Sequence, residues 1–230
     1  MAIVELRQVE KVYDAGSVPV HALKRISLNV EPGEFTAVVG PSGSGKTTLL
    51  NVIGGLDRPT SGTVLLDGID LATCTRGDLI DFRLHHIGFV FQAYNLIPVL
   101  TAEENVEFVM LLQGRPKAER RKTVRDLLHA VGLEEKMSNR VSELSGGQQQ
   151  RVAVARALAS GPSYVLADEP TANLDTDAAT TLLNIMENLN RERRTTFVFS
   201  THDPRVVERA RRVIRLVDGQ VSEDTTRAIT

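Results

Sequence analysis

The sequence predicts a mixed α/β fold, in which a mostly parallel sheet with flanking helices carries an antiparallel β subdomain and a helical insertion lobe. Three features predict it. Apolar runs that each end at a polar or glycine-rich motif are typical of parallel strands buried on both faces. Alternating stretches on either side of Asp-Gly dipeptides indicate antiparallel hairpins. Residues between about 102 and 160 follow a helical period almost throughout.

The predicted strands fall into two groups. Apolar runs that suit the parallel sheet occupy residues 35–39, 164–167 and 197–200. Residues 3–6 alternate like a half-buried strand, and two hairpins are predicted around Asp67-Gly68 and Asp218-Gly219. We expect the alternating strand and the two hairpins to form an antiparallel β region.

The helical lobe is predicted from capping residues and spacing. Thr101 and Glu104 form a capping box that opens one helix. A second helix is predicted over residues 118–131, where apolar side chains recur at helical spacing, and Gly132 is its predicted end. We therefore expect one domain over residues 3–225, with a helical subdomain at about 93–160.

Composition narrows the classes of function. The 230 residues, of which 42% are hydrophobic, allow one sizeable core. A net charge of −2 favours no nucleic-acid partner, and the single cysteine, Cys74, excludes a disulfide within the chain, which fits a reducing cytosol. We expect no secretory signal, and no apolar run approaches the ~18–20 residues that span a bilayer. Any membrane role then requires other polypeptides.

A phosphate-binding loop is predicted directly after the strand at residues 35–39. Its pattern is G-x-x-x-x-G-K-[ST], and a helical segment follows it, which is the context that this motif requires. The glycines let backbone N–H groups point at phosphate oxygens, and the helix N-terminus adds partial positive charge. We expect Lys46 to bridge the β- and γ-phosphates and the Thr47 hydroxyl to bind Mg²⁺. The candidate ATP-binding residues here are Gly40, Pro41, Ser42, Gly43, Ser44, Gly45, Lys46, Thr47 and Thr48.

Two acids follow the next predicted buried strand. Asp168 and Glu169 lie at its carboxyl end, where open α/β sheets bind ligands. We expect Asp168 to hold Mg²⁺ through water, and Glu169 to orient and deprotonate an attacking water. Because a residue before proline is biased away from the helical region, Pro170 predicts an extended Glu169. Alone, such acids also fit a solvated strand end.

His202 lies at the carboxyl end of a third apolar run. A histidine there can hydrogen-bond a γ-phosphate or the attacking water. Asp203-Pro204 is also a good helix start, so a purely structural role stays open. The position beside the other nucleotide elements favours the catalytic interpretation.

A second candidate phosphate cradle lies at Leu144, Ser145, Gly146, Gly147 and Gln148. Ser145 and Gln148 form a capping box, which is sufficient to start a helix. A cap does not explain the two glycines, each of which costs up to ~1 kcal/mol of helix stability relative to alanine. Without side chains, the backbone N–H groups at a helix N-terminus can be approached closely by an anion. Since the first loop already encloses one nucleotide's phosphates, we expect this cradle to bind the γ-phosphate held by another copy, head to tail.

These elements together resemble the ATPase subunit of an ATP-binding-cassette (ABC) transporter. The set comprises the phosphate loop, the sequence LSGGQ, the Asp168-Glu169 pair and His202, and the resemblance covers about residues 3–221. The stretches "FQAYNLIPVLTAEENV" and "DEPTANLD" are similar to the lipoprotein-release and macrolide- or peptide-export branch. A cell-division relative that regulates cell-wall hydrolysis shares much of this pattern, and soluble ABC proteins remain a second alternative.

The resemblance implies further roles. It implies that Tyr13, in an early loop, stacks on adenine, and that Gln92 reaches the catalytic metal and links the nucleotide to a membrane partner. Asp175 would belong to a loop that crosses the dimer interface. Implied ligands are ATP and Mg²⁺, the latter on Thr47, Gln92 and Asp168. Implied partners are a second ATPase subunit, which would form a homodimer with this one, and integral membrane permease subunits, which would hold the protein at the cytoplasmic face of the inner membrane.

Overall fold

The computed structural model describes residues 1–14 and 18–227, and within them it contains two sheets and seven α-helices. The larger sheet has six strands in the order β10-β9-β3-β8-β7-β6. Its five strands from β9 to β6 run parallel, and β10 pairs antiparallel with β9 at the edge. The strands are β3 (Phe35–Val39), β6 (Ile87–Val90), β7 (Tyr164–Asp168), β8 (Thr196–Ser200), β9 (Arg212–Val217) and β10 (Gln220–Thr226).

The smaller sheet is antiparallel and has the order β2-β1-β4-β5. Its strands are β1 (Val4–Asp14), β2 (Pro19–Val30), β4 (Ser61–Leu66) and β5 (Ile69–Asp70). Both predicted hairpins form, but their grouping in one antiparallel region is wrong. The hairpin around Asp218-Gly219 extends the larger sheet, because α7 returns the chain so that β9 pairs in parallel with β3.

Two hydrophobic clusters lie on opposite faces of the larger sheet. In β3, Phe35, Ala37 and Val39 point into one cluster and Val38 into the other, which is the period-2 alternation of a strand buried on both sides. The prediction that these apolar runs form parallel strands buried on both faces is confirmed. The carboxyl ends of β3, β7 and β8 consequently meet at one edge of the sheet.

The helices include the predicted lobe. The Thr101 capping box opens α3 with both of its hydrogen bonds, and α4 ends just before Gly132, whose φ is +66°. The lobe has no separate core, since Val106, Leu127 and Val154 share the cluster that covers one sheet face. The helices are α1 (Lys46–Ile53), α2 (Arg76–His86), α3 (Ala102–Leu112), α4 (Lys117–Ala130), α5 (Gly146–Ala159), α6 (Thr176–Arg193) and α7 (Pro204–Arg209).

None of the helices in the described residues combines the length and the apolar character needed to cross a bilayer.

Candidate nucleotide site

The predicted phosphate loop connects β3 with α1, as the motif requires. Gly45 is the N-cap of α1 with φ of +100°, and a Cβ at this position would lie 2.4 Å from the Ala22 carbonyl oxygen. Only glycine fits this conformation and this close approach. Because glycine has no side chain to cap the helix, the first N–H groups of α1 stay available to an anion.

The ammonium of Lys46 lies over the loop itself. Its Nζ donates to the carbonyl oxygens of Gly40 at 2.9 Å and Pro41 at 3.0 Å. A cleft of about 420 Å³ opens beside it. The lining combines much of the phosphate loop with residues from four strands or strand ends, including Tyr13, Ala22, Glu169 and Ser200.

Tyr13 lies in β1, so its predicted location in a loop is wrong. Strand pairing extends beyond it, with Tyr13 opposite Val20 and Asp14 opposite Pro19. Hydrogen bonding to β2 keeps this segment extended. The ring is half-buried and lines the cleft together with the phosphate loop.

Asp168 ends β7 next to the phosphate loop and to β8. Among the described residues, Asp168 Oδ1 and Ser200 Oγ are both buried without a hydrogen-bond partner. Burial raises the pKa of the Asp168 carboxyl, and the neighbouring Glu169 carboxylate adds to the increase. A carboxylate that has one buried, unpartnered oxygen and the Thr47 hydroxyl nearby suits a hard, oxygen-preferring cation such as Mg²⁺. The described residues contain no cluster of three His, Cys, Asp or Glu side chains, so phosphate and water oxygens would have to complete such a site.

Glu169 is not extended, so that expectation is wrong. Its φ is +46°, in the left-handed region. The residue opens a tight turn in which the Ala172 N–H donates to the Glu169 carbonyl at 3.2 Å, while its own N–H still pairs with the Ser200 carbonyl at 2.9 Å. Proline at the next position disfavours the right-handed helical region, and the turn uses the left-handed one instead.

The Glu169 carboxylate contacts the loop after β8. His202 Nδ1 lies 2.8 Å from Glu169 Oε1, and the Thr201 hydroxyl donates to Glu169 Oε2 at 3.3 Å. The carboxylate is mostly covered, whereas the imidazole is exposed. This arrangement holds the acid, which lines the cleft, whereas His202 is absent from the cleft lining and lines an adjacent groove together with Gly40.

Asp203 holds the same loop in place. It caps α7, as Asp203-Pro204 predicts, and it also accepts from the Thr171 hydroxyl at 2.6 Å and from the Arg205 guanidinium at 2.7 Å. Burial raises the pKa of its carboxyl, but the hydrogen bonds from Arg205 and Thr171 outweigh burial and lower the pKa to about 2. The sequence predicts the cap but not the bond to Thr171, which ties the His202 loop to the turn after Glu169.

The second cradle is the N-terminus of α5, and its capping box is confirmed. The Ser145 hydroxyl accepts from the Gln148 N–H at 3.3 Å, and the Gln148 side chain accepts from the Ser145 N–H at 2.9 Å. Ser145 is exposed. Within the described residues, none of residues 144–148 lines the phosphate-loop cleft.

The two glycines of this cradle also have a steric reason, which the sequence alone does not reveal. A Cβ on Gly146 would lie 2.8 Å from the Tyr94 hydroxyl, and a Cβ on Gly147 would lie 2.8 Å from the Ala178 Cβ. Close packing within the chain therefore explains in part why glycine occupies both positions, for which the sequence suggested only an approaching anion. Asp175, nearby, caps α6 by accepting from the Ala178 N–H at 2.8 Å, and its side chain is otherwise exposed.

Gln92 is exposed in a loop that α5 holds at several points. The Gln150 amide donates to the carbonyls of Phe91 at 3.3 Å and Pro170 at 2.8 Å, and Arg156 donates to the Tyr94 carbonyl at 3.0 Å. Neither Gln150 nor Arg156 was singled out from the sequence, because their partners are distant along the chain. Their bonds connect the loop of Gln92, the cradle helix and the turn after Glu169.

An apolar groove of about 650 Å³ lies beside that loop. It is lined mainly by hydrophobic side chains, among them the exposed Leu56, Ile80 and Leu112, with Arg83 and Arg156 at its polar positions. A groove of this size with large exposed apolar residues is typical of a protein-binding surface.

The fold and the phosphate loop define a P-loop nucleoside triphosphatase: a parallel sheet presents the loop, an acid pair and a histidine at one edge. The ABC transporter family model matches residues 23–172. The chain belongs to that family and is an ATPase cassette of it.

Individual relatives support the same assignment. The chain is 48% identical to the lipoprotein-releasing system ATP-binding protein LolD 1 of Rhodopseudomonas palustris over 96% of its own length and 98% of that protein. It is 45% identical to the macrolide export ATP-binding/permease protein MacB of Brucella melitensis over 98% of its length, but spans only 35% of MacB. Among solved structures, a dimeric post-hydrolysis state of the cassette MJ0796, bound to ADP and Pi, matches with a TM-score of 0.89 and 43% identity, covering 99% of this chain and all of that one.

Proposed function

We propose that the chain is the ATP-hydrolysing subunit of an ABC transporter of the lipoprotein-release or macrolide- and peptide-export type. Two copies would enclose two ATP molecules head to tail, each between the phosphate loop of one copy and residues 144–148 of the other. The cleft lining carries this proposal: the phosphate loop, Tyr13 and Glu169 line one cleft, and the exposed cradle at Ser145 lies outside it. A second copy would bring that cradle to the open side. The dimeric state of MJ0796 and the names of the relatives support it.

The proposed reaction is hydrolysis of ATP to ADP and phosphate. A water oxygen forms a bond to the γ-phosphorus, the bond from that phosphorus to the β,γ-bridging oxygen breaks, and the water proton passes to Glu169. His202 holds the Glu169 carboxylate and faces the γ-phosphate, while Lys46 and the backbone of the phosphate loop bind the β- and γ-phosphates. Mg²⁺, held by Thr47, Asp168 and Gln92, would supply neutralisation of phosphate charge.

Cross-linking between copies tests the head-to-tail arrangement. With Cys74→Ser and Glu169→Gln in every chain, one batch carries Ser42→Cys in the phosphate loop and another carries Ser145→Cys in the cradle. We expect a short thiol-specific cross-linker with MgATP to join the two batches and to leave each batch alone largely uncross-linked. Cross-linking of the Ser145→Cys chain to itself would instead show a head-to-head pair, and ADP is the matched control.

We propose that the apolar groove docks a helix of a membrane permease, which would place the protein at the cytoplasmic face of the membrane. MacB supports this occupant, because its name joins ATP-binding and permease parts in one polypeptide. The groove adjoins the Gln92 loop, so a docked helix could sense the nucleotide through the bonds of Gln150 and Arg156.

The docking proposal is tested with one exposed isoleucine in the groove and one outside it. We expect Ile80→Glu to lose copurification with the membrane subunits, while Ile69→Glu, on β5, retains it. ATP binding by both variants should equal that of the parent protein. Equal recovery of membrane subunits with Ile80→Glu would contradict this assignment of the groove.

A further inference from the structure

Tyr13 is held by two charged side chains outside the phosphate loop. Its hydroxyl donates to Asp57 Oδ2 at 2.7 Å, and Lys11 Nζ donates to Asp57 Oδ1 at 2.6 Å. The same ammonium lies 4.7 Å from the centroid of the Tyr13 ring, within cation–π range. Asp57 thus fixes the Tyr13 hydroxyl, and Lys11 covers one face of the ring.

Asp57 is in turn anchored to the helix that follows the phosphate loop. The N–H of Asp57 donates to the Asn51 carbonyl of α1 at 3.1 Å, and Lys11 also donates to the Arg58 carbonyl at 2.9 Å. Lys46 begins α1, and Asp57 lies just beyond its end. An eight-residue helix is a rigid element about 12 Å long, so it sets the spacing between the phosphate loop and the Tyr13 ring.

The charges of this cluster are compatible with strong hydrogen bonds at neutral pH. Burial and the hydrogen bond to Asp57 raise the pKa of Tyr13, so the phenol keeps its proton and donates it. Burial raises the pKa of the Asp57 carboxyl, but the bonds from Lys11 and Tyr13 outweigh burial and lower it. Asp57 is thus a charged acceptor of two hydrogen bonds, one from Tyr13 and one from Lys11. Hydrogen bonds to a charged group are stronger than neutral ones.

We propose that Asp57, braced by Lys11, is a positioning residue that fixes the Tyr13 ring to receive the purine base of the nucleotide whose phosphates the loop binds. This inference rests on the proposed function, and in particular on base stacking by Tyr13. Lys11 covers one ring face and is absent from the cleft lining, whereas Tyr13 is part of that lining, so the other face is the one for the base. A ring fixed before binding loses less rotamer freedom when the base arrives.

The test compares ATP with inorganic tripolyphosphate, which has no base. We expect Asp57→Ala to weaken MgATP binding by about tenfold, which is a typical contribution of stacking one base on an aromatic ring. Tripolyphosphate binding should change less than about twofold. The maximal rate at saturating ATP should stay near that of the parent, because the phosphate groups are untouched. Asp14→Ala, an exposed acid in the same strand, is the matched control and should change none of these values.

Tyr13→Phe removes only the hydroxyl and guards against a folding defect in Asp57→Ala. We expect a smaller loss of ATP affinity, and no further loss when it is added to Asp57→Ala, because both changes break the same bond. Equal weakening of ATP and tripolyphosphate in Asp57→Ala, or additive effects in the double variant, would overturn the positioning role.

Failures of the proposed function give different results. A parent protein that binds no MgATP contradicts the function itself. If Tyr13→Ala leaves ATP affinity unchanged in a parent that binds it, base stacking is wrong. If Tyr13→Ala weakens ATP and Asp57→Ala does not, stacking holds and the positioning role of Asp57 is wrong.

Discussion

His202 Nδ1 lies 2.8 Å from Glu169 Oε1, so the histidine after β8 and the acid after β7 meet at the edge of the larger sheet. The sequence predicts these two residues at the carboxyl ends of different strands, and the contact brings them together. Glu169 is mostly covered and His202 is exposed, which places the acid behind the imidazole. The proposed base and the residue that positions it are therefore one unit.

Glu169→Gln keeps the shape of the side chain and removes its ability to accept a proton. We expect ATP affinity within about threefold of the parent and a steady-state rate lower by about 10²–10⁴-fold, the usual contribution of a general base. Phosphate release and equilibrium nucleotide binding measure the two quantities. Glu208→Gln, an exposed acid of α7, is the control. Normal turnover by Glu169→Gln would refute the role of this acid.

His202→Ala should slow hydrolysis by roughly tenfold or more, because the Glu169 carboxylate loses its partner. The double variant with Glu169→Gln should be no slower than Glu169→Gln alone, since residues that act as a unit are not additive. Single-turnover rates provide the comparison. Multiplicative losses in the double variant would show that the two residues act independently.

Gly146→Ala separates the two explanations of the cradle glycine. The added methyl group meets the Tyr94 hydroxyl, while the next nearest atom, Tyr94 Cζ, is 3.8 Å away. We expect Tyr94→Phe to restore the stability that Gly146→Ala loses, because it removes the clashing oxygen. ATP-dependent pairing should stay impaired in the double variant if bare backbone must approach a phosphate. Urea unfolding and cross-linking measure the two effects, and recovery of both would leave packing as the whole explanation.

Asp203 predicts a defined pH dependence of stability. Its carboxyl has a lowered pKa of about 2 in the folded chain and a value near 4 when unfolded. The stabilisation is therefore complete above about pH 4 and is lost as the pH falls toward 2. We expect Asp203→Asn to lower the free energy of unfolding at pH 7 by about 2 kcal/mol, with a smaller difference from the parent at lower pH.

Urea unfolding at a series of pH values measures this difference. Asp81→Asn changes an exposed acid of α2 and should show a flat, small effect. A difference between Asp203→Asn and the parent that stayed constant from pH 4 to pH 2 would contradict the role assigned to the hydrogen bonds from Thr171 and Arg205.

Local patterns predicted much of this molecule. The phosphate loop, the acid pair and the capping box of Ser145 each depend on neighbours within a few residues. The sequence is therefore enough to place the loop and the acid pair between a strand and a helix, and the capping box at the start of α5. The apolar runs predicted the parallel strands for the same reason. What escaped prediction depends on contacts between distant segments.

The Tyr94 hydroxyl against Gly146, the Asp57 carboxylate on Tyr13 and the Gln150 amide on Pro170 each join segments far apart in sequence. The left-handed φ of Glu169 was missed because the rule for residues before proline excludes one region and does not choose between the others. The second hairpin was grouped wrongly because pairing partners are set by the path of α7, which no hairpin signal contains.

The central claim is that ATP joins two copies through each other's cradles, and sedimentation of Glu169→Gln measures this most directly. With MgATP the variant should sediment as a dimer, and with ADP or with Ser145→Arg added it should sediment as a monomer. A Glu169→Gln chain that binds MgATP and still sediments as a monomer at high protein concentration would contradict the account.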